Sequence, residues 1–110
     1  MQFNVGKQLK DFEGNPILDG KLDTKGNPSK LTLRKVCVNA LTAPESGISG
    51  EDHCHRYQLA MQIYQTDKAM SVSVEDIALI KRLISNAYPS PLVVGQALEM
   101  LDPSAEEKEI

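Results

Sequence analysis

The stretch SVSVEDIALIKRLISNAYPSPLVVGQALEML, residues 71–101, carries most of the chain's apolar side chains in two helical patterns separated by a Pro-Ser-Pro turn. Ser73 is a suitable N-cap, and the Asp76 carboxylate stands where it can bond back to the free cap amide. Apolar residues then recur every three or four positions, which predicts an amphipathic helix with one buried face. The predicted core positions of this helix are Ile77, Ile80, Leu83, Ile84, Ala87 and Tyr88.

A second helix is predicted over residues 91–101. Tyr88 precedes Pro89 and is pushed away from helical dihedral angles, while Ser90 offers a new cap followed by proline at the first helical position. This segment is apolar nearly all round, and Gly95 weakens a helix by about 1 kcal/mol relative to alanine. We therefore interpret Gly95 as a point where a neighbouring helix packs closely.

Two further helices are predicted upstream. The first is the run LTLRKVCVNALTA, which begins at Lys30 or after a cap at Ser29. Its predicted core face comprises Leu33, Val36, Cys37, Ala40 and Leu41. Pro44 and the segment 47–50 break this helix, and the second helix follows over about residues 51–66. The predicted buried stripe of that second helix comprises Cys54, Tyr57, Ala60, Met61 and Tyr64, widened by Leu59 and Ile63.

Residues 1–30 read as short extended pieces between turn signals, and the pattern D-x-x-G-N-P occurs at 11–16 and again at 23–28. Twelve residues suit one strand plus one turn, which predicts a small antiparallel hairpin or meander. Residues 69–72 alternate in polarity and can add one strand. Because this sheet has few apolar residues, it must pack on the helices, and we expect Phe12 to be buried there. The predicted fold class is therefore α+β, with a small sheet on about four helices.

A chain of 110 residues suits one domain. We predict a single globular domain over 1–101, β-rich over 1–30 and helical over 31–101, followed by an acidic, disordered tail at 102–110. The net charge of −3 is unevenly spread, because residues 1–35 hold seven Lys or Arg against four Asp or Glu.

The sequence contains no apolar run of the length a membrane span needs and no secretory signal pattern, which predicts a soluble, cytoplasmic protein without membrane association. Cys37 and Cys54 both fall in predicted helices. In a chain without a secretory signal, two such cysteines are more often buried thiols than a disulfide.

The segment EDHCH offers Glu51, His53, Cys54 and His55 as candidate metal ligands. Neighbours on a helix point about 100° apart, so His53 and His55 face different sides, and a structural zinc site needs four ligands. Cys54 is also a candidate activated thiol, although its place on the apolar stripe favours burial. A small metal or thiol protein stays an alternative, and we expect no catalytic residue and no cofactor.

A basic surface is the second alternative. Lys7, Lys10, Lys25, Arg34 and Lys35 would form a positive patch for nucleic acid if the fold displayed them together. The competing interpretation is a solvated lysine-bearing edge that discourages strand pairing. Because the sequence pI is near 5.3, we favour that interpretation and keep a nucleic-acid-associated accessory protein as the alternative.

The order of a G-N-P turn, LTLRKVCVNAL, HRYQLAMQIY, VSVEDIALIKRLI and PLVVGQALEMLD resembles a group of small, largely uncharacterised proteins of tailed bacteriophages and prophages, over residues 9–102. The resemblance implies that the protein is located in the cytoplasm of a bacterial host. It also implies that the protein acts by binding phage or host proteins, in virion assembly or in host takeover. It brings no catalytic residue. The leading hypothesis is therefore a non-enzymatic protein that acts through protein–protein interaction.

Overall fold

The computed structural model describes residues 2–102 and has an α+β fold, as predicted. Within this range its elements are β1 (Gln2–Asn4), β2 (Leu18–Leu22), β3 (Pro28–Lys30), α1 (Leu33–Thr42), α2 (Gly50–Gln65), β4 (Ala69–Ser71), α3 (Val74–Ala87) and α4 (Pro91–Leu101). The number of helices and their order agree with the prediction.

The strands form two separate two-stranded antiparallel sheets. β2 and β3 make the predicted hairpin, with Leu18 opposite Lys30 and Leu22 opposite Pro28. β1 pairs instead with β4, where Phe3 lies opposite Met70. The short strand before α3 therefore joins the N-terminal strand, as the alternation at 69–72 suggested.

The repeated D-x-x-G-N-P pattern folds into the same turn twice. In each turn, the Oδ1 atom of the aspartate, Asp11 or Asp23, accepts hydrogen bonds from the amides two and four residues later, at 2.9–3.0 Å. Gly14 and Gly26 occupy equivalent places with φ angles of 87° and 82°, a region that glycine enters without steric strain. The repeated sequence pattern therefore corresponds to a repeated turn structure.

The first helix starts later than predicted. Its N-cap is Thr32, whose hydroxyl accepts a hydrogen bond from the amide three residues on, and the predicted cap at Ser29 is wrong because Ser29 lies in β3. The first two amides of α1 donate to the carbonyls of Lys7 and Val5, both at 2.8 Å. The N-terminal segment therefore holds the start of α1 by backbone hydrogen bonds.

The third helix follows its sequence pattern closely. The Ser73 hydroxyl accepts a hydrogen bond from Asp76 N at 3.1 Å, which confirms the predicted cap. The four buried residues of α3 were all predicted: Ile77, Ile80, Leu83 and Ile84. At the C-terminal end the prediction is wrong for Ala87, which is exposed, while Tyr88 is half-buried.

In the fourth helix, Pro91 occupies the first turn as predicted, but the Ser90 side chain makes no capping hydrogen bond. Gly95 is exposed, and a Cβ built there has nothing within 4 Å. The interpretation of Gly95 as a close approach between helices is therefore wrong. Gln96 ties α4 to the N-terminal segment, because it exchanges two hydrogen bonds with the backbone N and O of Lys10, at 3.0 and 2.6 Å.

The core lies between the helices and the N-terminal segment. α1 packs against α2, α3 and α4, and α4 also contacts β1. Phe3, Val5 and Leu9 are buried with the helical residues, so the β-rich part packs on the helices as expected. Phe12 is 98% exposed, which makes its predicted burial wrong, because the tight turn at Asp11 carries it outward.

The described range ends at the C-cap of α4. Asp102 Oδ2 accepts a hydrogen bond from Lys81 Nζ at 3.2 Å, so this first residue of the predicted tail belongs to the folded part. The rest of the predicted disordered tail, 103–110, lies outside the described residues. None of the helices described in 2–102 combines the length and apolarity that crossing a membrane requires.

Candidate protein-interaction surface

The second helix carries two apolar stripes on different sides. Its N-cap is Ser49, whose hydroxyl accepts a hydrogen bond from Asp52 N at 3.1 Å, and Glu51 and Asp52 suit the positive end of the helix. The inner side packs on α1. The buried residues on this inner side are Arg56, Leu59, Ala60 and Ile63.

The other stripe faces outward, and we call it the α2 outer stripe: Cys54, Tyr57, Met61 and Tyr64. These positions are spaced by three, four and three residues, so they lie on one side of the helix. Tyr57 and Tyr64 are 60% and 69% exposed, Met61 is 39% exposed, and Cys54 is exposed. The predicted burial of these four residues is therefore wrong.

Arg56 is the residue that sequence reasoning missed. It is buried, and its Nη2 atom donates a hydrogen bond to Glu45 Oε2 at 3.3 Å. The methylene stem of an arginine supplies apolar surface, so Arg56 completes the inner stripe although a polarity pattern assigns it to solvent. Leu59 and Ile63 form the middle of that stripe. The usable signal in the sequence was that Leu and Ile are fully buried more often than Tyr.

A groove of about 630 Å³ borders the Tyr64 end of the outer stripe, and we call it the hairpin groove. It lies between the β2–β3 hairpin and α1, and its apolar lining includes Leu22 and Val38 as well as Tyr64. Leu22 is itself largely exposed. Because Tyr64 belongs to both features, the stripe and the groove form one continuous surface.

A partly exposed ion pair between Lys35 and Asp19 holds the polar side of the hairpin groove together. Lys35 Nζ donates to Asp19 Oδ2 and to the Lys30 carbonyl, both at 2.8 Å, and also to the Ser29 hydroxyl. The hydrogen bond from Lys35 and that from the Lys21 amide lower the pKa of Asp19 to about 2. Asp19 is therefore ionised at neutral pH, and this cluster ties β2 and β3 to α1.

The candidate metal ligands do not converge. His55 Nε2 lies 2.7 Å from Asp76 Oδ1 on α3, whereas His53 and Cys54 line a shallow depression beside Tyr57. Glu51 is exposed in the first turn of α2. Within residues 2–102, no group of three or more His, Cys, Asp or Glu side chains is placed to hold a metal ion.

The two cysteines differ in environment. Cys37 is fully buried on α1, as predicted, and burial raises its pKa to about 12. Cys54 is exposed, so the expectation of two buried thiols is half wrong. The two thiols are free in the described structure.

The five residues of the nucleic-acid alternative fall into two groups. Lys7, Lys10 and Lys25 are exposed on the N-terminal segment and its turns. Arg34 Nη2 donates to the carbonyls of Thr66 and Asp67 at the end of α2. Since Lys35 is held by Asp19, two of the five cations bond within the fold.

Compared with known proteins, the chain matches no protein-family model, no curated protein and no solved structure. An exposed row of two tyrosines, a methionine and a cysteine on a firmly capped helix is a surface composition typical of protein interfaces, in which Tyr and Met are enriched and Lys and Glu depleted.

Proposed function

We propose that this protein is a non-enzymatic interaction protein that binds a protein partner through the α2 outer stripe. The single observation that carries the proposal is the exposure of Tyr57, Met61 and Tyr64 in one row. Large apolar side chains that are exposed singly are common, but a contiguous row rimmed by polar residues marks a binding surface.

The partner chemistry that fits is an amphipathic helix with an apolar face. A row with helical spacing presents ridges that the side chains of a second helix can pack between, and aromatic residues supply much of the binding energy in such contacts. The continuous hairpin groove provides a polar rim next to Tyr64. The resemblance to phage and prophage proteins supports a phage or bacterial-host protein as partner, in the host cytoplasm.

The test compares three purified proteins: the wild type, the double variant Tyr57→Ser with Tyr64→Ser, and the control Phe12→Ser. Phe12 is an exposed aromatic outside the stripe, so the control removes apolar surface elsewhere. Each protein is immobilised on a resin and incubated with an extract of phage-infected bacteria, and the captured proteins are identified. The affinity of each captured protein for the three purified proteins is then measured with purified components.

We expect the double variant to lose at least tenfold in affinity while Phe12→Ser binds as the wild type does. Equal binding by all three proteins would place the interaction elsewhere and refute the proposal. Thermal melting of each variant must match the wild type, because the substituted side chains are exposed.

The nucleic-acid alternative has less support, because Arg34 and Lys35 are engaged inside the fold. Phosphate binding by the remaining Lys7, Lys10 and Lys25 would weaken steeply with added salt. We expect no shift of DNA or RNA at physiological salt. A salt-sensitive micromolar complex that is lost when these three lysines are replaced would make this alternative the better one.

A further inference from the structure

The spacing of the four residues in the α2 outer stripe is symmetric about Leu59. Cys54 and Tyr64 lie five positions before and after this point, and Tyr57 and Met61 lie two positions before and after it. When two such helices pair antiparallel, each of these four side chains lies at the level of another member of the stripe on the second copy. From this observation we propose that the protein forms a two-fold symmetric dimer in which the outer stripes of two α2 helices pair antiparallel.

The antiparallel register places every aromatic ring opposite a sulfur atom. Tyr57 faces the partner's Met61, and Cys54 faces the partner's Tyr64, and the symmetry repeats both contacts. Sulfur–aromatic contacts are favourable because the polarisable sulfur packs well against the edge of the ring. A two-fold interface requires such a self-complementary surface, since each patch must recognise its own copy.

The charges along α2 favour the same orientation. Glu51 and Asp52 occupy the first turn, whereas at the other end Lys68 follows the helix and Lys21 lines the groove beside Tyr64. Asp67 offsets one of these two cations. Antiparallel pairing brings the acidic end of one helix alongside the basic end of the other twice, while parallel pairing brings like charges together.

The pairing is expected to be reversible. The stripe from Cys54 to Tyr64 is about 15 Å long, at 1.5 Å per helical residue. One helix pair of this length falls at the small end of protein interfaces, where association is weak or transient. We therefore expect a monomer–dimer equilibrium in the micromolar range.

This inference rests on the proposed function and names the partner of the same surface. The first experiment is sedimentation velocity of the full chain from 1 to 500 micromolar with reducing agent present. The wild type and the control Phe12→Glu should shift from monomer to dimer as concentration rises. Tyr57→Glu should stay monomeric, because each of two carboxylates would be buried against the partner without a counter-charge.

The second experiment tests the register by disulfide trapping. The variant Tyr64→Cys places a sulfur opposite the partner's Cys54, and mild oxidation should link the chains through that pair. Within one chain these positions are about 15 Å apart along the helix, too far for a disulfide, so any bond between them joins two chains. Oxidised wild-type protein should give little dimer, since antiparallel pairing separates the two copies of Cys54.

The outcomes separate this inference from the proposed function. A wild type that stays monomeric to 500 micromolar overturns the dimer, and the proposed function then stands if the Tyr57 and Tyr64 variants still lose another protein partner. A dimer that Tyr57→Glu leaves intact, or an efficient wild-type disulfide between two copies of Cys54, overturns the antiparallel stripe. The proposed function itself fails if the Tyr57 and Tyr64 variants bind the captured protein as tightly as the wild type does, whether or not the chain forms a dimer.

Discussion

The ion pair formed by Arg56 and Glu45 allows a quantitative test of how the inner side of α2 packs on the core, because breaking it changes the free energy of unfolding. The side chain of Arg56 is 7% exposed and that of Glu45 is 32% exposed, so Glu45→Ala leaves a guanidinium buried without its carboxylate. Breaking a fully buried pair in this way destabilises proteins by about 3–5 kcal/mol. Because water reaches Glu45, we expect a smaller loss in free energy of unfolding, about 1–3 kcal/mol.

The substitution Arg56→Met removes the charge and keeps an unbranched apolar stem, so stability should stay within about 1 kcal/mol of the wild type. In that background Glu45→Ala should cost almost nothing, because no buried cation is left unpaired. Urea unfolding followed by circular dichroism measures all four proteins of the cycle. The matched control is Glu99→Ala, which removes an exposed acid from α4. If Glu45→Ala destabilises both backgrounds equally, Arg56 is not held by this charge and the reasoning is refuted.

Three further predictions concern Ile80, Asp19 and the two cysteines. Ile80 is fully buried, so Ile80→Asp should abolish the cooperative thermal transition, and a soluble variant with a normal melting curve would contradict the packing of α3. The pKa of Asp19 is lowered from 3.8 to about 2 by Lys35, so its stabilising effect is complete above pH 4 and is lost as the pH falls towards 2. Asp19→Asn should therefore reduce the drop in melting temperature between pH 4 and pH 2, and an unchanged drop would show that the ion pair adds no stability. A thiol-specific reagent at pH 8 should label Cys54 at once and Cys37 only after denaturation, because burial raises the pKa of Cys37 to about 12; rapid labelling of both in the native protein would contradict the described core.

Where local signals and tertiary packing agree, the sequence was sufficient to predict the structure. The cap at Ser73 and the stripe of α3 follow from helical periodicity, and so does the buried face of α1. The turns at Asp11 and Asp23 follow from residues whose side chains and dihedral angles favour them. Each of these features depends on residues within a few positions of one another.

The candidate surface could not be predicted because α2 has two apolar stripes, and periodicity alone does not say which one meets the core. Tyr57, Met61 and Tyr64 count as apolar, whereas Arg56 counts as polar, so the pattern favoured the wrong side. The hydrogen bond that Arg56 donates to Glu45, in the loop before α2, is a contact that the periodicity of α2 does not report. Gly95 was misread for a related reason, since no local signal reports whether a neighbour is present.

The pairing of β1 with β4 sets an order of events during synthesis. Phe3 and Met70 are opposite one another in the sheet but roughly 67 residues apart in the chain, which takes a ribosome about 3–13 s to traverse. The β2–β3 hairpin needs only about 1–10 μs to form once both of its strands exist. β1 therefore waits with an open edge while β2, β3, α1 and α2 are made, and it pairs when β4 arrives, before α3 and α4 complete the core. Among the strands described in residues 2–102, β1 therefore stays unpaired after β2 and β3 have joined.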